Sequence, residues 1–196
     1  AFRAFSPLAA EGNSEAQVLI GNLFENGLGV IKDELVALQW YEKAGKLGNA
    51  KGQHNAGISY FTGKGVDMNY PAAYEWFLKA TDHDYAPSQY MLGLMYHQGH
   101  GVAVNFERAR LWFLKASKQG YANAQFMYAY MIQAGEGEKS DPPRAMVWAL
   151  VAEKNGKSDS VAITVPASMT MTELEVSTAE KIAQECFLSN YQNCPD

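Results

Sequence analysis

The four tryptophans of this chain stand at Trp40, Trp76, Trp112 and Trp148, each 36 residues after the last. A fixed internal period constrains the fold more than any local propensity does, because a repeated supersecondary unit hides its apolar face only against copies of itself. The same step links Gly27, Gly63, Gly99 and Gly135; Gly29, Gly65, Gly101 and Gly137; Ala37, Ala73, Ala109 and Ala145; and Ala44, Ala80, Ala116 and Ala152. Other columns are nearly kept: Gln17, Gln53, Gln89 and Gln125; Gly21, Gly57, Gly93 and then Ala129; Phe24, Tyr60, Tyr96 and then Ile132; Asp33, Asn69, Asn105 and Asp141. No insertion disturbs the register over four units.

Each unit reads as two helices. Its fixed small and apolar positions fall three, four and seven apart, as from Ala37 to Trp40 to Ala44, and the period-two alternation of a strand is absent. The first helix ends at a Gly-x-Gly, where a left-handed residue costs glycine nothing. The second starts at the Asp or Asn column, whose short side chain caps the first N–H groups, and Pro71 and the pair Pro142-Pro143 fall in the first turn, where no N–H is needed. Glycine at 21, 57 and 93 costs about 1 kcal/mol per helix against alanine, so its recurrence predicts that the two helices of a unit approach there backbone to backbone. The tryptophan column reads as core, which puts the cost of Trp76→Ala or Trp112→Ala at about 3 to 5 kcal/mol.

Composition narrows the function classes. Of 196 residues, 47% are hydrophobic and 19% charged, ordinary for a chain with a packed interior. Sixteen Lys and Arg against 21 Asp and Glu give a net charge of −5, so counterion release has little to work with and nucleic acid is excluded as the expected partner. No apolar run approaches the roughly 20 residues of a transmembrane helix, and the residues from Ala1 open on an amphipathic segment, not on a signal sequence. The only cysteines, Cys186 and Cys194, suit neither a zinc site nor a disulfide-dense scaffold. They allow one local bridge, which would point to an oxidising compartment: periplasmic or secreted, with a cytoplasmic location as the alternative.

The pattern Ala-x-x-x-x-Gly-x-x-Tyr-x-x-Gly-x-Gly-Val, then Asp or Asn, then Ala-x-x-Trp-x-x-x-Ala-x-x-x-Gly closely resembles the Sel-one-like repeat, a relative of the tetratricopeptide repeat. The third unit carries it as Gly93, Tyr96, Gly99, Gly101, Val102, Ala109, Trp112, Ala116 and Gly120. The resemblance implies an all-α fold: a right-handed α/α solenoid, or superhelix, of 36-residue helix-turn-helix repeats closed by a C-terminal capping helix. The expected organisation is a partial N-terminal repeat helix over 1–13, four repeats over 14–156 (14–49, 50–85, 86–121 and 122–156), and a linker with the capping helix over 157–196. Nine or ten helices follow. Residues 157–168 read as irregular, and a capping box of Thr172 and Glu175 opens a last helix running to about Asn190. The fourth unit departs from the pattern at Ala129, Ile132 and Glu138, as terminal repeats do.

No catalytic constellation is legible. The Gly-x-Gly follows a helix and lacks the lysine of a phosphate loop, and no serine sits in a nucleophile elbow. His97 and His100 are three apart, but with His54 and His83 they form no metal-site pattern, so neither metal nor cofactor is expected. In tetratricopeptide-like arrays the first helices line the concave face. There one row is expected to be His54, Tyr90 and Phe126, with Ile58, Leu94 and Tyr130 beside it and Phe61 and His97 a turn further on. Such apolar and aromatic rows suit an extended partner segment. Lys43, Lys79 and Lys115 share an outer column that reads as a solvated face. The expected function is therefore a non-enzymatic scaffold or adaptor that binds a peptide or partner protein in its groove, in a bacterial envelope or signalling assembly. The alternative is a cell-wall or polysaccharide-related enzyme or small-ligand binder, including the penicillin-binding activity of cysteine-rich relatives, whose repeats carry the cysteine pairs that these repeats lack.

Overall fold

The computed structural model describes all 196 residues as eleven α-helices and one 3-10 turn, with no strand. The helices are α1 (Phe2–Ala10), α2 (Ser14–Asn26), α3 (Glu34–Lys46), α4 (Ala50–Thr62), α5 (Tyr70–Thr81), α6 (Ala86–Gln98), α7 (Phe106–Ser117), α8 (Ala122–Ala134), α9 (Pro142–Lys154), α10 (Val161–Ser168) and α11 (Glu173–Leu188). The all-α helix-turn-helix repeat class is thus the observed one. The chain gathers into two compact units, Ala1–Ser88 with His100–Val102 and Gln89–Gly99 with Ala103–Asp196.

The helix boundaries follow from the caps. Asp33, Asn69, Asn105 and Asp141 each accept the N–H three residues on, at 2.9, 3.0, 2.8 and 3.0 Å, and the prolines occupy the first turns of α5 and α9. Gly27, Gly63 and Gly135 close α2, α4 and α8 in the left-handed conformation, at φ of 68°, 76° and 73°. The second glycine of each pair does something that punctuation alone does not explain. A Cβ on Gly65 would lie 2.4 Å from the Glu34 backbone, one on Gly101 2.6 Å from Tyr70 Cβ, and one on Gly137 3.0 Å from the Phe106 backbone. Each of these glycines lets its loop seat on the start of the second helix of the preceding repeat.

The glycine column at 21, 57 and 93 has a different cause from the expected one. What approaches is an aromatic side chain and not a backbone: a Cβ would meet Tyr41 at 2.4 Å, Phe77 at 2.6 Å and Phe113 at 2.5 Å. The fourth unit carries Ala149 in place of the ring, and there Ala129 replaces the glycine, buried with no such ring facing it. The glutamine column joins successive repeats. Gln17, Gln53 and Gln125 donate from Nε2 to the carbonyls of Ala9, Gly45 and Ser117, each at 3.0 Å, satisfying carbonyls at the ends of the preceding second helices.

Two expectations need correction. Residues 157–168 are not irregular: Ser158–Ser160 form the 3-10 turn and Val161–Ser168 form α10, which raises the helix count to eleven. The segment is apolar on nearly all sides, so no helical period showed, and Pro166 withdraws only the bond to the carbonyl of the exposed Ala162. Nor is the tryptophan column uniformly core. Trp148 is 0% exposed, whereas Trp40, Trp76 and Trp112 are half-buried, with the ammonium groups of Lys43, Lys79 and Lys115 lying 4.2, 4.7 and 4.5 Å from their ring centroids. The lysine column is therefore a set of cation–π lids on the indoles.

The capping box of Thr172 and Glu175 opens α11 as expected, and the helix stops at Leu188, before the positive-φ residues Asn190 and Tyr191. Both α10 and α11 pack on α9. Cys186 and Cys194 are bridged.

Candidate interaction surface

In the first unit, His54, Ile58 and Phe61 lie along α4 and all are partly buried. His54 is wedged between Phe77 and Tyr85, with ring centroids 5.6 and 5.3 Å away, and its Nδ1 lies 2.9 Å from Ser88 Oγ. Burial pushes its pKa down to about 4, so at neutral pH it is an uncharged packing residue. Phe61 sits in an aromatic nest with Tyr70 at 5.1 Å and His100 at 5.6 Å, and His100 stacks on Tyr70 at 4.8 Å. Beside these residues is a polar group that the sequence did not announce. The Tyr41 hydroxyl is 2.8 Å from both Asn22 Oδ1 and Glu25 Oε2, and Asn55 Nδ2 is 3.5 Å from the same Asn22 oxygen. Burial and the Glu25 carboxylate both push the Tyr41 phenol upward.

In the second unit, Tyr90 packs on Phe113 at 5.7 Å and Tyr121 at 5.4 Å, and burial raises its phenol pKa. Leu94 is partly buried, and Phe126 lies beneath the Lys157 ammonium at 5.3 Å. His97 Nε2 is 2.7 Å from Glu136 Oε2, with Phe106 at 5.5 Å and Tyr130 at 6.4 Å. Tyr130 is the most open of the expected residues, at 42% exposed. Within each unit, then, several members of the proposed rows are engaged by neighbouring repeats, and Tyr130 presents its ring to solvent.

One regularity was missed. Positions 39 apart pair across successive repeats: Glu25 with Lys64 at 3.3 Å, Phe61 with His100, and His97 with Glu136. The same place in the fold carries an ion pair, an aromatic pair and a histidine–carboxylate pair. The signal was available as two columns of complementary chemistry offset by three residues, but it is visible only when columns are compared with one another and not along themselves. No three His, Cys, Asp or Glu side chains converge as a metal-holding group, and no helix is long and apolar enough to cross a membrane.

Paired helices at a 36-residue step, glutamine clamps between repeats and glycine-seated loops define the class of α/α repeat proteins. Comparison narrows it. The Sel1 repeat family profile matches residues 14–49, 50–85, 86–121 and 122–157, and the chain belongs to the Sel1 repeat family. Among solved structures, a Sel1 repeat protein from Oxalobacter formigenes is similar over 90% of this chain and 72% of its own, at 30% identity and a TM-score of 0.77. A protective antigen of uropathogenic Escherichia coli with an SLR fold matches 97% of this chain at 27% identity and a TM-score of 0.63, although the match covers only 48% of the antigen. A Pseudomonas aeruginosa protein shares the fold at 19% identity and a TM-score of 0.57. No curated protein matches. Sel1 repeat proteins are generally protein-interaction scaffolds and typically non-catalytic.

Proposed function

We propose that this protein is an adaptor that binds a partner protein through its first-helix columns, with contacts centred on Tyr130 and extending to Leu94, Tyr90 and Phe126. The observation that carries the reading is the exposed Tyr130 ring beside the His97–Glu136 pair. A tyrosine in that position offers apolar area at low entropic cost and a hydroxyl for a partner's backbone. On the first compact unit, His54, Ile58 and Phe61 are partly buried, and the two rings already serve repeat packing. The Cys186–Cys194 bridge favours an oxidising compartment, periplasmic or extracellular, in a bacterial host. Trapping free thiols in intact cells tests that placement.

The binding reading is tested by installing a photo-crosslinking benzophenone at position 130 and, separately, at position 79 in the native host. A partner captured only at 130, and bound by the purified protein at least about tenfold more weakly after Tyr130→Ala, as expected of a hot-spot aromatic, supports it. Capture at 79 alone, or indifference to Tyr130→Ala, refutes it.

A further inference from the structure

The segment after α11 is arranged like a bound peptide. Cys194 is held by the bridge to Cys186, the Pro195 carbonyl accepts a 2.8 Å hydrogen bond from the Trp148 indole N–H, and Asp196 meets two cations, its carboxylate Lys118 and its carbonyl oxygen the Arg144 guanidinium. Proline suits the position because it brings no N–H to be left unpaired over an apolar wall. The acidic residue suits it because its carboxylate meets the Lys118 ammonium.

The segment leaves open space beside it. Between α9 and the first half of α11 lies a cavity of about 420 Å³, walled by Pro143, Val147, Leu174, Ala179, Ile182 and Pro195 itself. The polar groups at its edge are already committed: Asp141 accepts the Arg144 N–H, Glu175 is taken up in the capping box with Thr172, and the Thr178 hydroxyl donates to the Leu174 carbonyl. What remains is apolar room of the size that ligand sites have, beside the cis segment held by the Trp148 indole N–H, Lys118 and Arg144, the last of which also pairs with Glu138 and Asp141.

We propose that this cleft is a second peptide site, distinct from the first-helix columns, which takes a partner segment with a proline followed by Asp or Glu. The protein's own residues 194–196 lie along its edge in cis, with Pro195 in its wall, and show its chemistry. The partner segment enters by displacing them, its proline carbonyl on Trp148 Nε1, the carboxylate of its acidic residue on Lys118 and that residue's main-chain oxygen on Arg144, while the apolar cavity receives the side chains that flank it.

The test uses the full chain and a fluorescein-labelled pentapeptide, Gln-Asn-Ser-Pro-Asp, read by anisotropy. Cys194→Ser releases the cis segment and is expected to bind the probe at least tenfold more tightly than the bridged protein, with Arg144→Gln in the same background abolishing the gain. Asp196→Ala, which keeps the bridge while vacating Lys118, covers the case in which Cys194→Ser fails to fold. It is expected to bind the probe several-fold more tightly than the unmodified chain. No gain in a variant whose helical circular dichroism is unchanged overturns the proposal, as does a gain that Arg144→Gln leaves intact. Tyr130→Ala serves as the control that separates the two sites. Loss of the probe in that variant places binding on the first-helix surface and overturns this inference alone, whereas failure of the adaptor reading leaves the probe result unaffected.

Discussion

The second and fourth repeats carry the same tryptophan in the same column and use it in different ways. Trp76 lies half-buried over Gly45, roofed by Lys79. Trp148 is sealed off from solvent, its indole N–H spent on the Pro195 carbonyl, and the residue three later is the buried Val151 and not a lysine. The other departures of the fourth repeat follow the same logic. Ala129 stands where Gly57 stands because Ala149 has replaced Phe77. Glu138 stands where Val66 packs on the interior because Arg110 and Arg144 reach it, at 3.3 and 2.5 Å. Repeat identity in the sequence therefore sets the backbone path. The covering elements set how much each side chain is worth.

The largest test of that contrast compares the two indoles. Trp148→Ala should cost about 4 kcal/mol, because it empties a fully enclosed site and leaves the Pro195 carbonyl unpaired. Trp76→Ala should cost about 2 kcal/mol, since part of the ring already faces water. Urea unfolding followed by circular dichroism measures both. Equal losses would show that burial is not what separates the repeats, and would restore the uniform core cost that the sequence suggested.

Next in size is the column of His54, Tyr90 and Phe126, in which only the second repeat holds a histidine. His54 has a folded pKa of about 4 against the usual 6.5, lowered by burial. Between these values the unfolded chain binds a proton that the folded protein refuses, so stability should be complete above about pH 6.5 and fall as pH drops toward 4. The loss contributed by this residue is at most about 3 kcal/mol. A His54→Phe variant, which copies the fourth repeat, should show a flatter denaturation curve over that window. An unchanged slope would remove His54 as the cause.

These outcomes bear on what can be read from letters alone. The helix pairs, their caps and the left-handed glycines were legible because each depends on residues within a few positions of one another, such as Asp33 with Val36. The bridge between Cys186 and Cys194 was legible as a local option. Helix α10 was not, since Val161–Ser168 is packed by α9 and shows no amphipathic period of its own. The partners of Phe61 and His97 were hidden for a similar reason. The column pattern showed which residues share a face, and only the structure shows that loop residues His100 and Glu136 come up against them. Tyr130, by contrast, is the one member of those rows that stands exposed, at 42%.

A smaller effect tests why glycine is kept in one repeat and lost in the other. Gly57→Ala should cost about 2 kcal/mol, because its Cβ would fall 2.6 Å from the Phe77 ring and force the ring to shift. In the Phe77→Ala background the same substitution should be neutral or favourable, as alanine is the better helix former. The fourth repeat already has that combination, and Ala129→Gly should there lose about 1 kcal/mol. If Gly57→Ala costs the same with and without the Phe77 ring, the ring does not explain the glycine.

The smallest expected effect concerns the lids. Lys79 covers Trp76 at 4.7 Å from a solvated position, so its cation–π contribution should be about 0.5 kcal/mol and no more than about 1. Removing the charge and the methylene stem together by Lys79→Ala tests the sum of the two, and Lys79→Met separates them by keeping an apolar cover of similar length. If the stem does most of the covering, Lys79→Met should match the parent protein and Lys79→Ala should lose the full amount. If the charge dominates, both variants should lose stability equally, and the parent's advantage over Lys79→Met should shrink in molar salt as the exposed ammonium is screened. The first outcome would make Lys79 and Val151 two versions of the same apolar lid, one built for a face that stays in water and one for a face that α10 and α11 close over. The second would make the lysine column a device peculiar to the open repeats, with no counterpart in the fourth.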